Sequence, residues 1–246
     1  MRFGDEIQML MGTERILDDF DNDRFTVFIV TGKNGVGKSS YCNHLISEVY
    51  SFRQQEKYGG NGETCNFNID VFKSHMGYHP KKVITQWKQQ KERDYCYHWD
   101  DAGVWLFNLD FTNPFVKSIG RYLQVARTKW AVLMFSCIDK SDIISKIRNF
   151  KSCIIVDITY NGEPKSKYIS HKYRSIAHGY HYWEDRSEKY GGIEYDWEEE
   201  FNTYMPKSFY AWYIEQRKKY TDLQLKLMYD KMKEQKDIMK YRDTQF

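Results

Sequence analysis

The sequence predicts an α/β protein with a mostly parallel sheet, helices on both faces of the sheet and a long C-terminal helix. Short runs rich in β-branched residues alternate with segments of helical period, as in sheets built from strand–helix–strand units. Several of these runs are apolar almost throughout, which is typical of strands buried on both faces. Beyond Pro206, a segment of mixed charge continues without a break to about residue 242, which predicts the long helix.

The elements follow in a regular order. An N-terminal helix and an acidic loop occupy residues 1–24. We expect strands at 25–30, 65–72, 94–99, 130–135 and 153–158, and helices at 39–49, 80–91, 113–128, 139–149 and 206–242. Residues 51–64 and the Tyr-rich residues 161–206 have the composition of loops. We therefore expect a core at 1–160 and an extension at 161–246, which can pack on the core as one domain.

Composition excludes several classes of protein. The net charge of the 246 residues is only +3, so an anionic partner would have to be recognised locally. The five cysteines form no CxxC pair, which disfavours a disulfide framework or a zinc site and predicts buried thiols in a reducing compartment. Because neither a signal peptide nor a long apolar run is present, we expect a cytoplasmic protein with no membrane contact.

One motif dominates the chain. Residues 32–39 match GxxxxGK[ST], with the letters Gly32-Lys33-Asn34-Gly35-Val36-Gly37-Lys38-Ser39. An apolar strand precedes the motif and a helix that includes Ser40 follows it, as a phosphate-binding loop requires. The pattern predicts that residues 32–40 bind ATP, with Lys38 at the β- and γ-phosphates and Ser39 on Mg²⁺. The alternative is a glycine-rich turn with a structural role.

A carboxylate pair follows the strand at 94–99. We assign Asp100 to the Mg²⁺ ion and Asp101 to activation of the attacking water; the alternative is a polar turn that closes a strand. The strand itself, Tyr-Cys-Tyr-His-Trp, is less aliphatic than is usual before such a pair. Asp101 is also shorter than the Glu often found there, which would favour slow hydrolysis. His98 could tune the pair or simply be a buried strand histidine.

Further polar residues complete the predicted catalytic set. Ser136 follows the strand at 130–135, where a hydroxyl could sense the γ-phosphate or could merely end the strand. Arg148 ends the next predicted helix and could sense the γ-phosphate in its own subunit or a neighbour's. Arg121 and Arg127 are the other candidates for an arginine acting in trans. Each arginine could instead form an ordinary surface ion pair.

The extension contains a second possible binding surface. Basic and aromatic side chains alternate there and could contact a nucleic acid backbone and its bases, or form a solvated surface. They are Lys165, Lys167, Lys172, Tyr173, Arg174, His178, Tyr180 and His181.

The order of motifs resembles a large class of P-loop ATPases, those that insert a strand between the Walker A and Walker B strands. This class contains the AAA+ proteins, the RecA-like motors and the FtsK/HerA-type DNA pumps, and the resemblance covers about residues 25–158. The Asp100-Asp101 pair is similar to the Walker B motif of DnaA and DnaC. The segment Met205–Arg217 adds a resemblance to small ATPases of archaeal viruses and plasmids. The resemblance implies an oligomeric, Mg²⁺-dependent ATPase that acts on DNA, in the host cytoplasm if viral or plasmid-encoded.

Other nucleotide-binding classes fit less well. The chain lacks the [NT]KxD motif of GTPases, which favours adenine over guanine, and it lacks an arginine-paired lid typical of small-molecule kinases. The leading hypothesis is an ATPase for replication initiation, loading, or DNA translocation or packaging in a mobile element. A nucleotide-gated assembly module with little turnover is the alternative, and a nucleotide or polynucleotide kinase is a third.

Overall fold

A computed structural model describes residues 9–58, 69–110, 112–160, 174–185 and 190–243. Contacts divide the chain into a compact unit from Met1 to Tyr204 and a second unit from Met205 to Phe246. The strands are β1 Thr26–Thr31, β2 Met76–Gly77, β3 Asp94–Trp99, β4 Trp130–Ser136, β5 Cys153–Tyr160, β6 Arg174–Asp185 and β7 Tyr190–Asn202. The α-helices are α1 Met11–Asp21, α2 Lys38–Tyr58, α3 Ile69–His75, α4 Pro80–Gln89, α5 Pro114–Tyr122, α6 Ser145–Arg148 and α7 Lys207–Asp243.

All seven strands form one sheet, in the order β2-β3-β4-β1-β5-β6-β7. The first five are parallel to one another, whereas β6 and β7 join by antiparallel pairing. Strand β4 lies between β1 and β3, because it pairs with both. The carboxyl ends of β1, β3 and β4 therefore meet at one edge of the sheet, where the predicted site residues follow each strand.

Helices cover both faces of the sheet, as predicted. Odd-numbered residues of β1, including Val27 and Ile29, join a buried cluster with Val83 and Trp87 of α4 and Ile119 of α5. Helices α1 and α2 also contact the central strands. Because side chains alternate between the faces of a strand, we place α1 and α2 on the face to which Phe28 points. The sequence prediction of an α/β fold with a mostly parallel sheet is confirmed.

Several local predictions were wrong. Residues 51–58 continue α2 instead of forming a loop, and residues 69–72 belong to helix α3 instead of a strand; residues 59–68 lie outside the described ranges. The helix expected at 139–149 is the four-residue α6, preceded by a short 3-10 turn at Lys140–Asp142.

The extension differs most from the prediction. Residues 174–185 and 190–202 are not loops but β6 and β7 of the main sheet. The boundary expected at residue 160 falls between β5 and β6, and as a division into domains it stays a prediction. The second compact unit consists largely of α7, whose 37 residues confirm the long C-terminal helix.

The expectations of buried thiols and of no membrane-spanning segment can both be compared with the described residues. Cys42, Cys96, Cys137 and Cys153 are free and buried, as expected, and Cys65 lies outside the described ranges. None of the helices in the described part of the chain combines the length and apolar character needed to cross a bilayer.

Candidate nucleotide-binding site

The glycine-rich loop leaves the carboxyl end of β1 and enters α2 at Lys38. Its three glycines all have positive φ, at +137° for Gly32, +84° for Gly35 and +105° for Gly37, a backbone region that glycine enters without steric cost. These conformations let the loop curl over the first turn of α2, so that backbone N–H groups and the helix N-terminus converge. Lys33, Asn34 and Gly35 form the exposed rim of the loop.

Lys38 is held inside this loop. Its side chain is buried, and its Nζ donates to the carbonyl oxygens of Gly32 at 2.6 Å and Lys33 at 3.0 Å. A buried ammonium needs such acceptors. The amine therefore lies where the loop would surround a phosphate group.

Residues from three separate segments meet beside the loop. The Oγ of Ser39 donates to Oδ1 of Asp100 at 2.9 Å, and the Oγ of Ser136 donates to the same oxygen at 2.6 Å. Ser39 begins α2, whereas Asp100 and Ser136 lie at the carboxyl ends of β3 and β4. The structure thus joins Ser39, Asp100 and Ser136 in one hydrogen-bonded cluster, with Lys38 next to Ser39 in the sequence.

Asp101 adopts a left-handed backbone conformation, with φ of 52° and ψ of 36°. This region is unusual for residues other than glycine, although Asp and Asn enter it more readily than most. The turn directs the N–H of Asp101 back toward the strand ends, where it donates to Oγ of Ser136 at 3.0 Å and to Oδ1 of Asp100 at 3.1 Å. The Asp100 carboxylate and the backbone of Asp101 are therefore held by β4 as well as by their own strand.

His98 lies directly below this cluster and is fully buried. Its Nε2 is 3.2 Å from Oγ of Ser136 and 3.6 Å from Oδ1 of Asp100. Burial lowers the pKa of His98 below its ordinary value, and the nearby Asp100 carboxylate only partly opposes this shift. A neutral imidazole therefore supports the cluster from inside the sheet.

The sequence did not indicate the residues that hold the loop from outside. Tyr160 at the end of β5 donates its hydroxyl to the carbonyl of Gly35 at 3.0 Å, and Ser175 of β6 donates to the carbonyl of Val36 at 2.7 Å. A Cβ on Gly37 would lie 2.4 Å from Cγ2 of Thr203. The ends of β5 and β7 and the start of β6 thus contact the loop from Gly35 to Gly37. Because residues 161–206 were expected to be loops, the sequence did not predict that residues there would support the glycine-rich loop.

The three candidate arginines are not part of the cluster. Arg127 is exposed, and its nearest carboxylate is Asp23 at 3.9 Å; Arg121 is also exposed. The Nε of Arg148 is buried without a hydrogen-bond partner among the described residues. Hydrogen bonds from Ser141 lower the pKa of Asp139, and the charge of the Arg148 guanidinium adds a smaller effect in the same direction. Within the described part of the chain, no hydrogen bond or ion pair joins any of the three to the glycine-rich loop.

The proposed nucleic acid surface is described only in part, since residues 161–173 lie outside the described ranges. His178 contacts Glu198 at 3.0 Å, and His181 contacts Asp196 at 3.0 Å and Glu194 at 3.5 Å. These carboxylates all belong to β7. The histidines of β6 are therefore paired across the hairpin with acids, which weakens a case for phosphate binding by these two residues.

The oxygen atoms beside the loop suit a magnesium ion. Mg²⁺ prefers hard oxygen ligands and is usually held by one or two protein groups together with phosphate oxygens and water. The Oγ of Ser39 and Oδ1 of Asp100 are such groups, and they lie 2.9 Å apart, joined by a hydrogen bond. Among the described residues no cluster of three His, Cys, Asp or Glu side chains forms a metal site made of protein alone.

A mostly parallel sheet in which the central strand runs through a glycine-rich loop into a helix is the P-loop NTPase fold. No known protein family and no curated protein sequence matches the chain. Among solved structures it is similar to the genome packaging NTPase B204 from Sulfolobus turreted icosahedral virus 2. The complex of B204 with ATP-gammaS is 16% identical over 70% of this chain and 98% of B204, with a TM-score of 0.36. The complex with AMP is 17% identical over the same shares, also with a TM-score of 0.36.

Proposed function

We propose that the protein is a Mg²⁺-dependent ATPase that couples ATP binding and hydrolysis to the replication, loading or movement of DNA. The observation that carries this proposal is the contact between Ser39 and Asp100, 2.9 Å apart beside the buried amine of Lys38. These two residues are 61 positions apart in sequence, and a magnesium ion bound to the phosphates would need both of them beside the loop. A structural turn would not require that contact.

Each residue of the cluster has a role in this proposal. The N–H groups of residues 33–39 would bind the phosphates, and Lys38 would exchange its two carbonyl acceptors for phosphate oxygens. Ser39 would hold Mg²⁺ directly and Asp100 would hold it through water, and the bound ion would supply positive charge against the transferred phosphoryl group. Asp101 would orient the attacking water and accept its proton.

The position of β4 between β1 and β3 supports assignment to the ATPases with an additional strand. In that class, polar groups on the inserted strand lie between the phosphate loop and the Walker B carboxylates, as Ser136 does here. The assignment implies an oligomer in which a neighbouring subunit supplies an arginine. DNA as the partner rests on the sequence resemblance over residues 25–158.

The test compares purified wild-type protein with Asp101→Asn, with and without single- and double-stranded DNA. We expect the wild type to hydrolyse ATP, DNA to stimulate this turnover, and Asp101→Asn to retain ATP binding but lose turnover by at least about a hundredfold, as expected when a catalytic base is removed. Lys38→Ala should lose both binding and turnover. Unchanged turnover in Lys38→Ala would contradict the proposal.

One observation favours a second candidate, a nucleotide-gated assembly module with little turnover. Asp101 is a short carboxylate in a left-handed turn. In the part of the chain that the structure describes, none of Arg121, Arg127 and Arg148 forms a hydrogen bond or an ion pair with the loop. ATP would then order the site and promote assembly. Molecular mass measured in the same samples separates the two candidates, because a mass increase on ATP binding without turnover supports the module.

A further inference from the structure

We propose that His98 is a positioning residue, which holds the Ser136 hydroxyl on Asp100 and so withdraws Ser136 from contact with the γ-phosphate. This inference rests on the proposed function, since it assigns a task to residues of the same site. It replaces the role of phosphate sensor first predicted for Ser136 with a role in orienting the Walker B pair.

The argument begins with the hydrogen bonds of one hydroxyl group. A serine hydroxyl has one proton to donate and two lone pairs to accept with. Ser136 donates to Oδ1 of Asp100 at 2.6 Å and accepts from the N–H of Asp101 at 3.0 Å. Nε2 of His98, at 3.2 Å, takes the remaining position. All three hydrogen-bonding positions of the buried hydroxyl are filled by the protein.

The same contacts define the tautomer of His98. Because the Ser136 proton lies on the short bond to the Asp100 carboxylate, His98 must be the donor in its contact with Ser136, with the proton on Nε2. Nδ1 of His98 is buried and has no partner among the described residues. A bare nitrogen lone pair at that position costs less than a buried N–H without an acceptor. The surroundings of both ring nitrogens therefore favour the same tautomer of His98, with the proton on Nε2.

This chain of hydrogen bonds fixes the carboxylate before a metal ion binds. His98 orients Ser136, and Ser136 orients Asp100 and the turn that carries Asp101. Groups that orient metal ligands in this way typically contribute ten- to a hundredfold to metal affinity. We therefore expect His98 to act on Mg²⁺ affinity and not on the binding of nucleotide by itself.

The experiment measures the affinity of the full chain for a fluorescent non-hydrolysable ATP analogue and for fluorescent ADP, each in Mg²⁺ and in EDTA. We expect His98→Leu and Ser136→Ala each to weaken binding in Mg²⁺ by roughly tenfold, equally for both nucleotides, and to leave binding in EDTA unchanged. His98→Gln can place an amide donor near the position of Nε2 and should restore most of the affinity. The double variant His98→Leu/Ser136→Ala should be no weaker than Ser136→Ala alone, because both changes break one chain.

The opposite results would overturn the inference. If Ser136 contacted the γ-phosphate, Ser136→Ala would weaken binding of the ATP analogue and not of ADP. The double variant would then lose affinity by the product of the two single losses. Unchanged Mg²⁺ dependence in His98→Leu also overturns the inference. If His98→Leu does not fold, judged by its melting transition, the comparison of ADP with the ATP analogue in Ser136→Ala decides alone. If the wild-type protein binds nucleotide with the same affinity in Mg²⁺ and in EDTA, that result would instead contradict the proposed function itself.

Discussion

Gly32 and Gly37 of the loop each lie too close to a neighbouring residue to carry a side chain, and the neighbour is different in the two cases. A Cβ on Gly32 would lie 2.4 Å from the carbonyl oxygen of Ile158, which belongs to the backbone of β5 and cannot move away. A Cβ on Gly37 would meet the Cγ2 methyl of Thr203 at the same distance, and that atom is part of a side chain. Both positions also have positive φ, so a substitution at either one would cause backbone strain as well as steric overlap.

We predict that Gly37→Ala destabilises the protein by about 2–3 kcal/mol, because a non-glycine residue at this φ costs about 1–3 kcal/mol and the new methyl group overlaps with Thr203. Urea unfolding measures the change. Adding Thr203→Ser removes the methyl group of Thr203 and should restore part of the loss, but not the part due to backbone strain. Thr203→Ser alone is the control. Full recovery in the double variant would show that the backbone is not strained, and no recovery would show that the overlap is relieved in another way.

The hairpin of β6 and β7 is the element that ties the extension to the nucleotide site. Ser175 at the start of β6 donates to the Val36 carbonyl, and Gly37 packs against Thr203 just beyond β7. Ser175 is fully buried, so its loss would leave the Val36 carbonyl inside the protein without this donor. Such an unpaired group costs about 1–3 kcal/mol.

We therefore predict that Ser175→Ala weakens nucleotide binding by roughly tenfold. Without this donor the loop must be ordered by the nucleotide when it binds, and a cost of about 1.4 kcal/mol in binding free energy lowers the affinity tenfold. The measurement is titration with a fluorescent ATP analogue. Ser118→Ala is a matched control, because the Ser118 hydroxyl also donates to a backbone carbonyl, that of Phe115, but at an exposed position of α5. Equal affinity in the two variants would show that β6 does not stabilise the binding conformation of the loop.

The sequence predicted the loop and its carboxylates but not this support, for a physical reason. The inward residues at the start of β6 are Ser175, Ala177 and Gly179, which are all small. Trp197 packs directly over Gly179 and leaves no room for a larger side chain there. Their pattern lacks the large apolar side chains that usually reveal a strand. By contrast, β1 and β4 are buried throughout, and their apolar runs predicted both strands almost to the residue.

At the scale of the whole molecule, strand order determines which residues can complete the site. Trp130 opens β4 opposite Asp94, which opens β3. Arg127 lies in the short turn Ala126–Thr128 that leads into β4, so it lies near the amino edge of the sheet, whereas the glycine-rich loop lies at the carboxyl edge. Arg121, near the end of α5, leads into the same amino edge. Neither arginine is placed to reach the loop of its own chain, so each would serve a site only in a neighbouring subunit.

We predict that alanine substitution of one of this exposed pair, Arg121 or Arg127, abolishes ATP turnover and leaves nucleotide affinity unchanged. An arginine acting in trans contributes about 10³–10⁵-fold to turnover and little to ground-state binding. Mixing the inactive arginine variant with Asp101→Asn should recover part of the turnover, because an intact site can then meet an intact arginine across a subunit boundary. Neither variant alone can supply that pair.

Arg148→Ala is the control for this mixing experiment. Its guanidinium lies near Asp139 within its own chain, so any loss of turnover should reflect its own subunit and should not be recovered by mixing. Turnover that mixing fails to recover for Arg121→Ala and Arg127→Ala would argue that the site is completed within one chain. Wild-type turnover in all three variants would show that no arginine among them stabilises the transferred phosphoryl group. Recovery would instead make the oligomer part of the active site, because strand order keeps each chain's candidate arginine at the edge of the sheet opposite its own nucleotide.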